Sequence, residues 1–354
     1  MEGANPQILK MAAEIIHDQD RRATTTVCVT GASGYVASWL VKCLLNQGYI
    51  VHATVRDPEN EAKVRHLLDI PRDEETLKLF RAELSEDGSF DAAVAGCAGV
   101  FHVASPTEFA PKDPENDVIK PAVEGTLNVL QSCTKAKTVK RVVVTSSAAA
   151  IAMKESEDQN QYMDESCWTD VDFVRTKMSN SSWAYTVSKT LAEQAALQYG
   201  KEHDLDVVTI IPVIVVGSSI TPTIPISVQL ALSLLTGIPS DLQVLKELQL
   251  PSGALSLVHV DDLCKAHIFL MENPSTEGRY ICNATDIPVA QLAHYLSKRY
   301  PEYNVPTQFE DVPVISKLNP SSKKLVESGF SFKLGLDEIF DDAVKYLKMK
   351  GMLN

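Results

Sequence analysis

The chain has 354 residues, of which 45% are hydrophobic and 22% charged, and its net charge is −13. This length allows one large domain or two modest ones, while the acidic balance argues against general binding to nucleic acid or to anionic membranes. No run of about 20 apolar residues could span a bilayer, and the first residues lack a signal-peptide core, so we expect a cytoplasmic protein. The seven cysteines include no C-x-x-C pair, and we therefore expect reduced thiols and no metal site.

The first two thirds of the chain alternate between short β-branched runs and segments of helical period. Residues 1–24 are polar, and we expect a flexible extension there. The predicted strands after it cover residues 27–31, 49–55, 77–84, 99–105, 141–149 and 207–216. These strands are continuous apolar runs, as expected where helices cover both faces of a sheet. The pattern predicts an α/β fold with a Rossmann-type, doubly wound parallel sheet.

The last third of the chain has a different composition. It opens with the Ser/Thr/Pro-rich stretch GSSITPTIPIS and ends in an amphipathic helix, DEIFDDAVKYLKMKG. We expect residues 217–253 and 285–354 to form a smaller, mixed α/β lobe that binds the substrate. Residues 254–284 are expected to return to the first domain, which spans 25–216.

The stretch VCVTGASGYVASWLV, residues 27–41, predicts a strand, a glycine turn and a helix. Gly31 allows a sharp turn, Gly34 allows a phosphate to approach the backbone, and the small Ala37 allows close packing of the helix on the strand. The free N–H groups at the start of the helix suit a pyrophosphate. A tight turn without a ligand is the alternative interpretation.

The end of the second predicted strand indicates which dinucleotide would bind. In such folds an acidic residue at this point bonds the 2′-hydroxyl of the adenosine ribose. Here the strand ends in HATVRD, and Arg56 stands about where that acid belongs. A guanidinium suits a 2′-phosphate, so NADPH is favoured over NADH, with Lys63 in a position to assist. The neighbouring Asp57 works against this interpretation, and a solvated strand-end charge is the alternative.

The stretch SSWAYTVSKTLAE, residues 181–193, holds a candidate proton donor. Tyr185 and Lys189 are four residues apart and therefore lie on one face of a helix. A nearby ammonium lowers the pKa of a phenol, and such a pair can give a proton to a carbonyl oxygen while hydride reaches carbon. Ser147 lies at the C-terminal end of a predicted strand, at the sheet edge where ligands bind, and Ser146 is the neighbouring alternative. Such a tyrosine–lysine pair alone also occurs by chance in many helices.

Taken together, these segments resemble the extended, atypical branch of the short-chain dehydrogenase/reductase superfamily. TGASGYVA, VRD, FHVAS, VTSSAA, YTVSK and IPVIVVG match in order and spacing over about residues 25–220. The resemblance implies Ser147, Tyr185 and Lys189 as catalytic residues, with Lys189 also bonding the nicotinamide ribose. Two departures stand out: Glu83 in RAEL, and Pro121 where many relatives have an asparagine that relays protons.

The resemblance also implies a set of cofactor contacts. They are Gly31, Ser33, Gly34, Tyr35, Val36, Arg56, Lys63, Leu84, Val103, Ala104, Ser105, Thr145, Ser146, Tyr185, Lys189, Pro212 and Val215.

From the glycine turn to its end, the chain is similar to plant flavonoid reductases of the dihydroflavonol reductase-like group. GSSIT and SGALS most resemble segments of the reductases that act on anthocyanidins. This implies NADPH-dependent reduction of cyanidin, pelargonidin or delphinidin to 2,3-cis-flavan-3-ols such as epicatechin, in proanthocyanidin biosynthesis. Dihydroflavonol 4-reductases usually carry Asn or Asp five residues after the catalytic serine, where this chain has Ala152.

Three other functions remain open at this stage. The nearest is a dihydroflavonol 4-reductase or an isoflavonoid ketone reductase. A sugar-nucleotide epimerase-type enzyme is disfavoured by Arg56, and a non-catalytic NADP-sensing protein by the retention of Tyr185 and Lys189. We expect a pocket between residues 147–154, 155–182 and 217–240, with Trp168 and Trp183 on a closing lid. The oligomeric state is unknown.

Overall fold

The computed structural model describes residues 22, 24–70, 74–106, 111–152, 163–178, 183–250, 252–309 and 319–354. The strands are β1 (Thr26–Val29), β2 (Ile50–Val55), β3 (Leu77–Arg81), β4 (Gly99–His102), β5 (Arg141–Thr145), β6 (Val207–Pro212), β7 (Ile214–Val216), β8 (Leu255–His259), β9 (Gly278–Cys282) and β10 (Thr285–Ile287). The helices are α1 (Tyr35–Asn46), α2 (Glu61–Leu68), α3 (Asp91–Val94), α4 (Lys120–Ala136), α5 (Val171–Lys177), α6 (Trp183–His203), α7 (Ile226–Ala231), α8 (Ser233–Thr236), α9 (Pro239–Gln249), α10 (Val260–Glu272), α11 (Val289–Arg299), α12 (Lys323–Glu327) and α13 (Leu336–Met349).

Seven strands form one parallel sheet in the order β3-β2-β1-β4-β5-β6-β9. Helices cover both faces of this sheet. Val27 and Val29 of β1 belong to the core shared with α1 and α10, whereas Cys28 belongs to the core shared with α3, α4 and α6. Since successive side chains of a strand point to opposite faces, two buried faces require the continuous apolar runs seen in the sequence. The predicted doubly wound α/β fold is confirmed.

The run 207–216 was expected to be one strand, and that expectation is wrong. It forms β6 in the large sheet and β7 in a second sheet, with a break after Pro212. Because proline has no N–H to donate to a neighbouring strand, Pro212 is a residue at which the pairing of a strand can end. The chain thereby passes from the large sheet into the lobe that follows it.

The smaller sheet has the order β10-β8-β7, with β7 parallel and β10 antiparallel to β8. Its core is shared with α7, α8, α9, α11 and α13. In α13 the buried residues include Ile339, Ala343, Val344 and Leu347, which is the spacing of one helix face. The segment 254–284 contributes β8 to the smaller sheet and β9 to the large one, and the domain boundaries stay a prediction.

Three further observations bear on expectations from the sequence. All seven cysteines lie in the described part of the chain, where each is buried and free. Most of the expected extension, residues 1–21 and 23, lies outside the described residues, but Arg22 donates two hydrogen bonds to Glu272 at 2.7 and 2.9 Å. Among the described helices, none is both long and apolar enough to cross a bilayer.

Candidate active site

The glycine turn after β1 approaches the neighbouring chain closely. Gly31 has a φ of +68°, and a Cβ at this position would lie 2.9 Å from the Cα of Ala104. The Gly34 N–H donates to the Gly31 carbonyl at 2.9 Å, and α1 begins directly afterwards with no side-chain cap at Gly34. An uncapped helix start leaves backbone N–H groups available to an anion, and these features fit the pyrophosphate of a dinucleotide.

A chain of buried hydrogen bonds fixes the segment facing this turn. The Thr30 hydroxyl accepts the N–H groups of Val103 and Ala104 at 3.1 and 3.0 Å. Nδ1 of His102 lies 2.9 Å from the same hydroxyl, and Nε2 lies 3.1 Å from the hydroxyl of Thr126.

The protonation state of His102 follows from these contacts. Because Thr126 donates its own proton to the Ala122 carbonyl at 2.8 Å, Nε2 of His102 carries the ring proton and Nδ1 accepts one from Thr30. Burial, reinforced by the nearby Lys189, lowers the pKa of His102 to about 3, so the ring is neutral at pH 7. His102 was not among the site residues predicted from the sequence, although a histidine inside the apolar run FHVAS was a signal.

Arg56 directly follows β2, and its side chain is exposed, as is that of Lys63 in α2. The adjacent Asp57 accepts the N–H of Glu59 at 3.1 Å, so its carboxylate is engaged in the turn that leads to α2. Thr54, two residues before Arg56, accepts the Gly31 N–H at 3.2 Å and thereby ties this strand end to the glycine turn. The Arg56 side chain is thus exposed at the end of β2, which is hydrogen-bonded to the glycine turn through Thr54.

The three predicted catalytic residues meet at the carboxyl end of β5. Ser147 follows the strand and opens the 3-10 turn Ala148–Ala150, where its hydroxyl accepts the Ala149 N–H at 3.2 Å. The side chains of Ser147 and Tyr185 are hydrogen-bonded. Lys189, one turn further along α6, donates from Nζ to the Thr145 carbonyl at 2.7 Å.

Burial has opposite effects on the tyrosine and the lysine. It raises the pKa of Tyr185 above its ordinary value, and the hydrogen bond with Ser147 opposes that rise. It lowers the pKa of Lys189 to about 8, opposed by the carboxylate of Glu193. In this arrangement the phenol is a protonated acid at pH 7, rather than one activated by a lowered pKa as the sequence suggested.

Thr145 and Ser146 already use their side chains in the protein. The Thr145 hydroxyl lies 2.8 Å from Nε2 of His267, whose Nδ1 lies 2.8 Å from the Leu263 carbonyl. The Ser146 hydroxyl donates to the carboxylate of Glu193 at 2.6 Å. Ser147 is therefore the serine whose hydroxyl meets the phenol.

A small recess lies beside the carboxyl ends of β4 and β5. Its lining is mostly polar and includes five of the predicted site residues. The lining residues are His102, Ala104, Ser105, Thr126, Val144, Thr145, Ser146, Lys189, Ala192 and Glu193.

The other predicted contacts lie around this centre without sharing the recess. Leu84 packs against α4, where a Cβ on Gly125 would lie 2.6 Å from its own Cβ. Pro212 ends β6 and Val215 lies in β7. Pro121, which replaces the expected asparagine, lies in the first turn of α4 behind a π-helical turn. Ser33 and Val36 flank the glycine turn and the start of α1.

Tyr35, also predicted at the cofactor, reaches towards the smaller lobe. Its phenol donates to the Gly217 carbonyl at 3.2 Å, at the start of the GSSIT segment. Asp342 of α13 holds the next residue, accepting the Ser218 N–H and hydroxyl at 2.6 Å each, and it also meets Nε2 of His259 at 3.0 Å. Burial opposes the charge of Asp342, but these hydrogen bonds outweigh it and lower its pKa to about 2.

The expected lid lies partly outside the described residues, which omit 153–162 and 179–182 and so also Lys154. Of its two tryptophans, Trp168 has its ring 3.4 Å from the guanidinium carbon of Arg279. Trp183 packs against the core formed by Ile119, Val174 and Val187. Closure of this segment stays a prediction.

The amino-acid sequence is similar to those of plant reductases over almost its whole length. Residues 27–283 match the NAD dependent epimerase/dehydratase family. The chain is 66% identical over 330 residues to a Ginkgo biloba protein that is provisionally named an anthocyanidin reductase. The match covers 93% of this chain and 96% of that protein. It is 51% identical over 328 residues to a Vitis vinifera protein named anthocyanidin reductase ((2S)-flavan-3-ol-forming), covering 93% and 96%. It is also 50% identical over 332 residues to the dihydroflavonol 4-reductase of Callistephus chinensis, covering 93% and 88%.

Solved structures show the same architecture. Vestitone reductase from alfalfa (Medicago sativa) superposes with a TM-score of 0.80 at 39% identity, covering 93% of this chain and 99% of that one. Gre2 from Candida albicans in its complex with NADPH superposes with a TM-score of 0.79 at 29% identity, covering 92% and 99%.

Proposed function

Because the chain belongs to the NAD dependent epimerase/dehydratase family, we propose that it is an NADPH-dependent reductase of flavonoids. Its substrates are anthocyanidins, which it reduces to 2,3-cis-flavan-3-ols such as epicatechin, in proanthocyanidin biosynthesis. The observation that carries this proposal is the identity of 66% and 51%, over 93% of the chain, to proteins named as anthocyanidin reductases. We place the reaction in the cytoplasm.

NADPH is the proposed cofactor, and when bound it supplies the hydride. The backbone of the glycine turn would hold the pyrophosphate, since Gly31 closely approaches Ala104 and α1 starts without a side-chain cap. Arg56 and Lys63, both exposed near the end of β2, would bind the 2′-phosphate. The NADPH complex of the Candida albicans neighbour supports this choice.

Tyr185 is the proposed proton donor. Its raised pKa keeps the phenol protonated at neutral pH, so it can donate to a substrate oxygen such as that on C3 of an anthocyanidin. Ser147, hydrogen-bonded to the phenol, would hold the same oxygen. Lys189, with a pKa of about 8, is mainly an ammonium at pH 7 and would orient the nicotinamide ribose.

The test is incubation of the protein with NADPH and cyanidin, followed by chiral chromatography of the products. We expect an epicatechin-type flavan-3-ol and consumption of two NADPH per product. The Tyr185→Phe variant should lose turnover while NADPH binding, measured by fluorescence, is retained. Normal turnover in that variant would contradict the role of the phenol.

A dihydroflavonol 4-reductase is the second candidate, favoured by the 50% identity to the Callistephus chinensis enzyme. It predicts leucocyanidin from dihydroquercetin, a substrate that the same assay should include. Ala152, which follows the 3-10 turn after Ser147, offers no side-chain hydrogen bond to a flavonoid ring. We therefore expect cyanidin to be the better substrate, and efficient formation of leucocyanidin alone would favour the second candidate.

A further inference from the structure

A buried ion pair lies directly behind the candidate active site. Glu193 of α6 and Arg279 of β9 are 86 residues apart in sequence, and their side chains are 0% and 7% exposed. Arg279 donates from Nε to one carboxylate oxygen of Glu193 at 2.8 Å and from Nη2 to the other at 3.1 Å. A buried charge pair of this kind needs further hydrogen bonds to offset its loss of hydration.

Those hydrogen bonds come from the strands that carry the site. Thr209 of β6 donates to one oxygen of Glu193 at 2.6 Å, and Ser146 donates to the other at 2.6 Å. Each carboxylate oxygen thus accepts two hydrogen bonds, which fills its ordinary capacity. Glu193 therefore fixes the residue immediately before Ser147.

The other side of Arg279 holds the part of the expected lid that carries Trp168. Nη1 donates to the carbonyls of Glu165 and Cys167 at 2.8 and 2.5 Å. The guanidinium carbon lies 3.4 Å from the centre of the Trp168 ring, a distance at which cations are attracted to aromatic faces. One guanidinium thus joins the end of β5, through Glu193, to the segment carrying Trp168.

The pair also shapes the electrostatic environment of Lys189, because Glu193 lies one turn further along α6 and both side chains line the same recess. The titratable groups around the Lys189 amine, within the described ranges, are His102 from β4, Tyr185 and Glu193 from α6 and His267 from α10, and Arg279 from β9 is bound to Glu193. Burial lowers the pKa of His102 to about 3 and that of His267 to about 4, so both rings are neutral at pH 7. The fixed charge facing the amine is consequently the carboxylate of Glu193, which Arg279 pairs on β9.

We propose that Glu193 and Arg279 are positioning residues for the reduction: together they fix the Ser146–Ser147 turn and the Trp168 segment, and the carboxylate of Glu193, paired with Arg279, helps to keep the Lys189 amine charged. This inference rests on the proposed function for its kinetic consequences. Its electrostatic part concerns the protein alone and can be measured without a substrate.

The test compares the two opposite ways of breaking the charge balance. Glu193→Gln leaves the positive charge of Arg279 without its carboxylate partner, whereas Arg279→Met leaves the carboxylate without its cationic partner. We expect the pKa of Lys189 to fall below its wild-type value in Glu193→Gln, and to be higher in Arg279→Met than in Glu193→Gln by about one pH unit. The double variant Glu193→Gln/Arg279→Met, which has no net charge in the pair, should lie between the two single variants.

The pKa is read from the pH dependence of acetylation of Lys189 by trace acetic anhydride, quantified by mass spectrometry. Thr209→Val is the matched control, because it removes a hydrogen bond to Glu193 without changing a charge, and it should leave the pKa of Lys189 at its wild-type value. Equal pKa values in the two single variants, or a lower value in Arg279→Met, would overturn the proposal. A purely structural pair would lower the stability of both variants without separating these pKa values.

A milder variant tests the positioning role if the charge variants do not fold. Arg279→Lys keeps the charge but loses the planar contacts with Glu193, Trp168 and the two carbonyls. We expect an unchanged pKa of Lys189 and a KM for cyanidin raised at least fivefold, with a smaller change in kcat. A wild-type KM would refute the positioning role. If wild-type protein does not reduce cyanidin, the proposed function fails, while the acetylation experiment still decides the electrostatic inference.

Discussion

Replacing Gly31 with alanine tests the close approach on which the cofactor site depends. The new Cβ would lie 2.9 Å from the Cα and 3.0 Å from the Cβ of Ala104, and the backbone would have to keep a φ of +68°. A non-glycine residue in that conformation costs about 1–2 kcal/mol, and overpacking a tight site adds about 1–3 kcal/mol. We expect Gly31→Ala to lower the free energy of unfolding by about 2–5 kcal/mol.

Gly96→Ala is the matched control, because Gly96 has a similar φ of +75° and a Cβ added there would meet nothing within 4 Å. The free energy of unfolding of Gly96→Ala should fall only by the conformational cost of the positive φ, about 1–2 kcal/mol. The assay is urea unfolding of both variants, together with titration of NADPH followed by fluorescence. Gly31→Ala should also weaken NADPH by at least about tenfold, which corresponds to about 1.4 kcal/mol, while Gly96→Ala should not. Equal stability and equal NADPH affinity in the two variants would refute this reasoning.

Three further perturbations probe charge at separate points. Arg56→Glu should weaken NADPH by about 1.5–3 kcal/mol and NADH much less, whereas Arg65→Glu, the same charge change on α2, should not discriminate between them in competitive titrations. Because the folded pKa of Asp342, about 2, lies below its ordinary 3.8, its contribution to stability is present above about pH 4 and is lost as the pH falls towards 2. With its side chain 33% exposed, we expect Asp342→Asn to remove about 1–2 kcal/mol at pH 6 and much less at pH 2.5 in urea unfolding; an equal loss at both pH values would contradict this. His102→Leu should cost about 1–3 kcal/mol at pH 8 by leaving the Thr30 hydroxyl without its acceptor. The cost should be smaller at pH 5 by about 2 kcal/mol, because the folded pKa of about 3 lies below the ordinary 6.5 and only the unfolded wild-type chain gains a proton there; a larger cost at pH 5 would mean a charged ring in the folded protein.

The sequence was sufficient to predict the fold class because local patterns carry that information. The apolar runs that became β1, β2, β4 and β5 lack alternation, and this by itself indicates two covered faces. The break after Pro212 was missed because the apolar pattern continues without interruption through Ile214–Val216. Only their partner strands distinguish β6 from β7, since β6 pairs with β9 and β7 pairs with β8.

Within the site, Tyr185 and Lys189 were accessible from sequence because one helical turn separates them. The supporting contacts were not, since they join distant parts of the chain. Glu193 and Arg279 are separated by 86 residues, and the phenol of Tyr35 meets the Gly217 carbonyl across 182 residues. Neither pairing follows from any local spacing. The sequence predicted that the ammonium of Lys189 lowers the pKa of Tyr185. It did not predict that burial raises this pKa, because burial depends on the whole fold.

The burial of every cysteine has a chemical consequence for a protein that handles catechols. Catechol rings oxidise readily to ortho-quinones, which are electrophiles that add to thiolates. All seven thiols are buried and so lie out of reach of such electrophiles, and burial also raises the pKa of Cys97 to about 12. The fold thereby protects the enzyme from arylation by the oxidised forms of its own products, with no need for a scavenging thiol on its surface.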